Sequence, residues 1–322
     1  MIGRTCGRLC MVAMLAAARL APHAALADPK CDDVGLRGSL NVLTINLLFS
    51  EIAHRDERLA RVADFALKNS IDAIFLQEVV SGNLAGTSNS AKDLQQDLAD
   101  LGTVYELRSA LEAGVPLPLS VGNAILSRCD IIFYTVKRLP PGTEDVGGRQ
   151  IKWPRNVLMA RVDIPGRGQI DLYDTHLCAG CDAFPERERQ LSEALGFIST
   201  VESSFPNTLA VVFAGDFNID RIQSSDDVLY QEILQPGFED AYAVSPGKPG
   251  LAALCPSPDN PDEHCTIGVS DFGDAQNARR IDYVFGRVLP NVLDGQVVFN
   301  TKISGQPSVS DHAGVFAQLQ LP

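Results

Sequence analysis

The sequence is poor in positive charge: 27 lysines and arginines stand against 40 aspartates and glutamates, a formal net charge of −13. An acidic chain is a poor electrostatic partner for polyanions such as DNA or anionic membranes, although a local basic groove or a bound metal can override that average. Long unbroken apolar runs are missing as well. A membrane-spanning helix wants about 20 consecutive apolar residues. The one stretch that approaches this, LCMVAMLAAARLA, is shorter and carries Arg19. No low-complexity tract, short repeat or linker occurs, so residues 28–322 read as one domain. What is present is globular in kind: 45% of residues are hydrophobic and 21% charged, which excludes intrinsic disorder.

The N-terminus reads as a secretory signal peptide, residues 1–27: a basic start at Arg4 and Arg8, the apolar stretch, then Ala25-Leu26-Ala27 as a small-residue cleavage site. Cys6 and Cys10 leave a lipid anchor open as an alternative. Cleavage near Ala27 removes three arginines and no acid, moving the formal charge from −13 to −16. The expected location is periplasmic or secreted, with no transmembrane segment in the mature chain. Six cysteines remain, and an even number in an exported chain suggests disulfides. Proximity favours Cys255–Cys265 and Cys178–Cys181, leaving Cys31–Cys129; the rival reading of Cys178-Ala-Gly-Cys181 is a redox or metal pair.

Strands and helices alternate along the chain. SLNVLTINLLF (39–49) and IDAIFLQEV (71–79) read as strands, with a helix between them whose apolar residues Leu59, Val62, Ala63 and Ala66 fall on one face. AKDLQQDLADL (91–101) is a second amphipathic helix. VGNAILSR and IIFYTV are strands, and NVLMARVDI with GQIDLYDTHL form a hairpin across a Pro-Gly turn. The second half repeats the style, with helices at 186–204 and 226–235, strands TLAVVFAGDFN, ARRIDYVFG, NVLDGQVVFN and HAGVFAQLQL, and a loop-rich stretch over 244–276. The pattern predicts an α/β fold of two packed sheets with helices outside.

Polar residues stand where these strands should be apolar. Asn46 lies inside one; Glu78, His176 and the pair Asp216 and Asn218 end three others; Asp282 interrupts another, and Asp311-His312 precede the last. Singly each has an ordinary explanation: a bulge, a surface ion pair, a core histidine, a turn or a cap. Together they do not, because burying an unpaired carboxylate costs several kcal/mol. Strand ends that converge on a cation would explain all of them.

In order, the segments TINLL, LQEV, GNAILSR, THL, GDFN, RIDYVF and SDH resemble those of the endonuclease/exonuclease/phosphatase superfamily of metal-dependent phosphoesterases, over nearly the whole mature chain. The resemblance implies a four-layer sandwich, two mixed β-sheets face to face with helices outside, and a site at one end. It implies Glu78 as the main Mg²⁺ ligand (Mn²⁺ or another divalent ion being an alternative), with Asn46 beside it and Asp311 as a further metal-site or orienting carboxylate. It implies that Asp216 and Asn218 orient the attacking water, that His176 and His312 flank the phosphate, and that Asp282 holds the imidazole of His312. The chemistry asks for such groups independently: a hard cation neutralises the anionic phosphodiester, and histidines positioned by a carboxylate move protons near neutral pH.

Three substrates and one inactive alternative stand open. THLCA, and GFEDAYA followed by Cys-Thr and RIDYVF, resemble neutral sphingomyelinases, and the acidic charge suits a zwitterionic headgroup; this makes a phospholipid the first expectation, with transient membrane-surface contact. No aromatic hairpin for membrane insertion is visible, and Trp153 is the lone interfacial candidate. A secreted deoxyribonuclease-like enzyme is the second, drawing on Arg149, Lys152, Arg155, Arg187, Arg189, Arg279 and Arg280. Arg155 and Arg280 are the candidate substrate-phosphate contacts. A phosphatase of a soluble ester is the third, and a catalytically inactive binding module the last. The chain is expected to act as a monomer.

Overall fold

The computed structural model describes residues 31–48, 54–82, 86–113, 119–145, 150–180, 185–248, 255, 264–272 and 278–322. The expected signal peptide and its cleavage site lie outside them. Two six-stranded mixed sheets lie face to face. Across the first, the order is β11 (Val292–Val298), β12 (Gly314–Gln320), β1 (Ser39–Asn46), β2 (Ala73–Ser81), β4 (Ser120–Ser127) and β3 (Glu106–Ala113). Across the second it is β5 (Ile131–Asp145), β6 (Gln150–Ile164), β7 (Gly168–His176), β8 (Ala210–Asp216), β10 (Asp282–Arg287) and β9 (Glu239–Asp240). A short helix, α1 (Asp32–Arg37), leads into β1, and another, α6 (Ala241–Val244), follows β9.

Period-two alternation builds the layers. In β1, Leu40 and Val42 face the second sheet while Leu43 and Ile45 face outward. The same holds for Ala73 and Phe75 against Ile74 and Leu76 in β2, and for Val212 and Ala214 against Val211 and Phe213 in β8. Helices α2 (Arg55–Lys68) and α3 (Ser90–Asp100) cover the outer face of the first sheet; α4 (Glu186–Ser204) and α5 (Ser224–Leu234) cover that of the second. The expected apolar stripe of α2 is the buried one, Leu59, Val62, Ala63 and Ala66. Helix α3 starts one residue earlier than its sequence suggests because Asn89 caps it, its side-chain oxygen accepting from the N–H of Ala91 and Lys92. The result is the four-layer sandwich that the resemblance implied.

Four elements differ from expectation. Strand β3 has no strong sequence signal, since ELRSALEA alternates weakly and reads as well for a helix; its pairing along all of β4 decides its state. Strands β5 and β6 run 15 residues each, well beyond IIFYTV and NVLMARVDI, forming a long two-stranded arm. Helix α1 is held at the other end of the sandwich from β1's Asn46. There Asp72 accepts from the Asn41 N–H at 2.8 Å and pairs with Arg128 at 2.9 Å and with Arg37.

Beside that network, Cys31 and Cys129 are disulfide-bonded, tying the residue before α1 to the β4–β5 link across 98 residues. Cys255 and Cys265 form a second bridge, Cys178 is disulfide-bonded as well, and Cys181, its expected partner, lies outside the described residues. Closing a loop this long constrains the unfolded chain strongly. Replacing Cys31 and Cys129 together by serine is expected to lower the unfolding free energy by about 4 kcal/mol in denaturant melts.

Candidate active site

Strand polarity decides where the polar residues go. Strand β1 is parallel to β2 and antiparallel to β12; β7 is parallel to β8, and β8 antiparallel to β10. The carboxyl ends of β1, β7 and β8 therefore meet the amino ends of β10 and β12 at one end of the sandwich. On the inner face, the run of core residues continues into polar ones. Leu40 and Val42 are followed by Thr44 and Asn46; Ile170 and Leu172 by Asp174 and His176; Val212 and Ala214 by Asp216. In β10, Asp282 precedes Val284. All of these polar residues are buried.

Glu78 reaches the same place by a different route. Register between β2 and β4 shifts between Leu76↔Ala124 and Val79↔Gly122, so Gln77 and Glu78 together oppose Asn123. This is a β-bulge, and Glu78 takes a left-handed φ of +55° there. Without the extra residue Glu78 would follow Leu76 outward; with it, Glu78 turns inward and Val79 returns to the outer cluster. Glu78 thus lies within its strand and not at its end, as the sequence suggested.

Asn46 joins the two sheets. Its Oδ1 accepts the Leu48 N–H at 3.0 Å, which leaves Nδ2 to donate to Glu78 Oε1 and Asp216 Oδ2, both at 3.1 Å. Asp216 Oδ2 also lies 3.4 Å from His176 Nε2 and 3.8 Å from His312 Nε2. Its other oxygen accepts the Asn218 N–H at 3.0 Å in the turn that follows, where Asn218 has a φ of +51°. The Asn218 amide is held by Leu177 O at 3.1 Å. Gly215 is required just before: a Cβ there would stand 2.0 Å from Thr175 O. His312 Nδ1 donates to Asp282 Oδ2 at 2.9 Å.

The two histidines are pushed in opposite directions. Burial lowers the pKa of His176 well below the usual value, and the charges of Arg155 and His312 add to this. Burial opposes charge on His312 too, but Asp282, Asp216 and Asp311 outweigh it and hold its pKa well above the usual value. Burial raises the pKa of Asp216, as do Asp282 and Glu78, against His312 and the Asn46 amide. One neutral imidazole, one imidazolium and a carboxyl group with raised proton affinity is an acid–base set.

The residues fit a divalent cation. Glu78 and Asp216 offer hard oxygen donors of the kind Mg²⁺ takes, whereas Asn46, expected beside the metal, turns its amide nitrogen toward both of them. Asp282 Oδ1 is buried with no hydrogen-bond partner, and Asp216, Asp282 and His312 each present a ligand atom, all within 4.8 Å of one another. Asp311 is half-buried beside them, accepting from Ser310 Oγ at 3.1 Å. Arg155, half-buried, lines a narrow cleft with Glu78, Asn123, Trp153 and His176.

Arg280 takes a different place from the one expected. It is 4% exposed, pairs with Asp240 at 2.7 Å and lies over the Tyr283 ring, so it does not face a substrate. Arg280 precedes β10, so strand alternation does not set its direction, and Asp240 captures it. Sequence reading also passed over Gln77 and Asp174. Gln77 Nε2 donates to Asp174 Oδ1 at 2.6 Å and to Thr44 Oγ1 at 3.1 Å, a buried link between sheets beneath the site. The same parity that marks Asn46 and His176 marks Thr44 and Asp174. Thr266 was missed as well. Its Oγ1 accepts the N–H of Ile281 at 3.0 Å and of Asp282 at 3.2 Å, and its carbonyl accepts from Ala313 at 2.6 Å. The bridge at Cys265 anchors this tie, which sets Asp282 against His312.

A family model described as the endonuclease/exonuclease/phosphatase family matches residues 43–312. The chain belongs to that family. No curated protein matches it at the sequence level. Among solved structures, a family member from Leptotrichia buccalis is similar at 23% identity and a TM-score of 0.62, over 88% of this chain and 99% of that one. A truncated TDP2 from Caenorhabditis elegans is similar at 18% and 0.58, over 88% and 97%. A mannosyl-6-phosphatase from Bacteroides thetaiotaomicron is similar at 18% and 0.61, over 88% and 99%. Identities this low speak for the fold, which they share. As a family member the chain is a metal-dependent hydrolase of phosphoester bonds.

Replacing Thr266 by valine keeps the shape and removes the acceptor of two buried N–H groups. Unfolding free energy is expected to fall by about 2 kcal/mol, and turnover to fall with it, because Asp282 loses its fixed position; denaturant melts and kinetics check both.

Proposed function

We propose that the chain is an exported, Mg²⁺-dependent phosphodiesterase of the sphingomyelinase kind, cleaving a phospholipid by in-line attack of water on phosphorus. Glu78, with Asp311 as a further carboxylate, would hold the metal, which when bound supplies positive charge against the phosphate and its leaving oxygen, and the Asn46 amide fixes Glu78 for it. Asp216, with its raised proton affinity, takes the proton of the attacking water, which Asn218 helps to orient. His312, kept charged by Asp282, donates to the phosphoryl group, and His176 donates from its neutral ring. Arg155 meets a non-bridging oxygen from the cleft wall.

The observation that carries the lipid reading is the fate of the basic residues. A nucleic-acid groove needs arginines aimed outward at phosphates. Of the six described candidates, Arg187 and Arg280 are withdrawn into buried pairs with Asp226 at 3.1 Å and Asp240 at 2.7 Å, while Lys152 and Arg189 are exposed and Arg155 and Arg279 half-buried. Arg149 lies outside the described residues. In a chain of net charge −13, a zwitterionic headgroup is the better match. Bonded cysteines support export, and among the described residues no helix is long and apolar enough to cross a membrane. A soluble phosphate ester is the second reading, supported by the likeness to a mannosyl-6-phosphatase.

A substrate panel tests this: sphingomyelin and phosphatidylcholine vesicles, single- and double-stranded DNA and a soluble phosphate ester, each with Mg²⁺ and with chelator. Chelator-sensitive release of phosphocholine is expected; DNA cleavage with intact vesicles contradicts the lipid reading, and inactivity on every substrate favours a binding module. Glu78→Gln and Asp216→Asn are each expected to lower kcat by roughly 10³-fold, with circular dichroism unchanged.

A further inference from the structure

Gln77 and Asp174 lie in the core beneath the site, and none of the proton transfers above uses them. Both are fully buried. They come from different sheets, Gln77 from β2 and Asp174 from β7. Gln77 Nε2 donates to Asp174 Oδ1 at 2.6 Å and to Thr44 Oγ1 at 3.1 Å. Burial holds the Asp174 pKa well above the usual carboxylate value, against Gln77 and the backbone N–H groups of Leu76, Ala124 and Thr175. Among the described residues its Oδ2 has no hydrogen-bond partner. A buried group left half-paired lowers stability, whereas an apolar pair of similar size does not. Sheet packing alone therefore gives no reason for an acid here.

The position of the link does. Leu76 and Ala124 are the last pair in register before the β2 bulge, and Gln77 and Glu78 are the two residues of the bulge. Asp174 thus reaches the backbone where the bulge begins and holds the side chain of its first residue. The second residue, Glu78, has a left-handed φ of +55°. A non-glycine residue keeps such a backbone only where its surroundings over-determine it. Within the first sheet, the Leu47 N–H donates to Gln77 O at 3.0 Å and Asn46 Nδ2 to Glu78 Oε1 at 3.1 Å. Asp174 adds a hold from the other sheet. Two residues further along β7, on the same face, stands His176, which lines the cleft opposite Glu78.

We propose that Asp174 is a positioning residue for the metal site: through Gln77 it holds the β2 bulge in register and so keeps Glu78 turned inward toward the cation. This rests on the reading of Glu78 as the metal ligand. Without the link the bulge can relax toward regular pairing with β4, in which Glu78 follows Leu76 to the outer face.

Mn²⁺ binding to the purified protein, followed by the electron paramagnetic resonance of the free ion, tests this independently of turnover. Glu78→Gln is the reference and is expected to remove the site. Gln77→Leu with Asp174→Leu replaces both partners by apolar side chains. Denaturant melts are expected to show it folded and near wild-type stability, while it binds Mn²⁺ roughly 10- to 100-fold more weakly. Gln77→Met removes only the donor; it is expected to weaken binding in the same direction and carries the test if the double variant does not fold. Asp174→Asn keeps an oxygen for Gln77 and is expected to bind Mn²⁺ as the wild type does. Wild-type Mn²⁺ affinity in the folded double variant or in Gln77→Met, with Glu78→Gln still losing the ion, overturns the inference alone. So does an Asp174→Asn variant that binds as weakly as the double one. Mn²⁺ binding indifferent to Glu78→Gln overturns the metal assignment, and the inference with it.

Discussion

The amide of Asn46 bridges the two sheets, and the site depends on it. Its oxygen is committed to the Leu48 N–H, so its nitrogen must donate, and it donates to one carboxylate from each sheet, Glu78 and Asp216. Two buried or half-buried carboxylates would otherwise drift apart or take up protons, because like charges in a low-dielectric site repel. One neutral donor between them fixes their separation without neutralising either. That leaves the charge for a cation and a phosphate to answer. The sandwich serves this arrangement. Sheet packing brings β1 and β8 together, the bulge in β2 turns Glu78 toward them, and β10 and β12 deliver Asp282 and His312 from the opposite direction.

Much of this was legible in the residues because the core and the site obey one rule. A strand buried on both faces reads as a continuous apolar run, so a polar residue at its end is conspicuous. Asn46, His176, Asp216 and Asp282 were visible for that reason, and the strand ends do converge. Asp174 and Gln77 obey the same parity, yet sit one or two positions deeper, where a single polar residue resembles an ordinary break in a strand. Their meaning comes from each other, across 97 residues of chain. Thr266 was hidden more completely, in a loop-rich stretch whose position is set by a disulfide and by the two strands it ties. Arg280 was misplaced because an arginine near a phosphate site suggests a phosphate contact, whereas Asp240 captures it inside the protein. No local signal distinguishes those two fates.

Electrostatics and fold are coupled here by burial. The site is acidic at its centre, and the protein around it is acidic too. A polyanionic substrate would meet that field without Arg187 and Arg280 to offset it, since both serve internal pairs. The opposing pulls on His176 and His312 come from the same geometry: one ring sits near Arg155, the other against three carboxyl groups. Two side chains of one type thereby acquire different protonation states a few ångströms apart, which is what acid–base division of labour needs.

The central claim is that these converging strand ends form a divalent-cation site. Anomalous diffraction from a crystal grown with Mn²⁺ tests it most directly. The account predicts a peak between the sheets, about 2 Å from a Glu78 carboxylate oxygen, that disappears in Glu78→Gln. An active enzyme whose only Mn²⁺ peaks lie away from Glu78, Asn46 and Asp216 would contradict it.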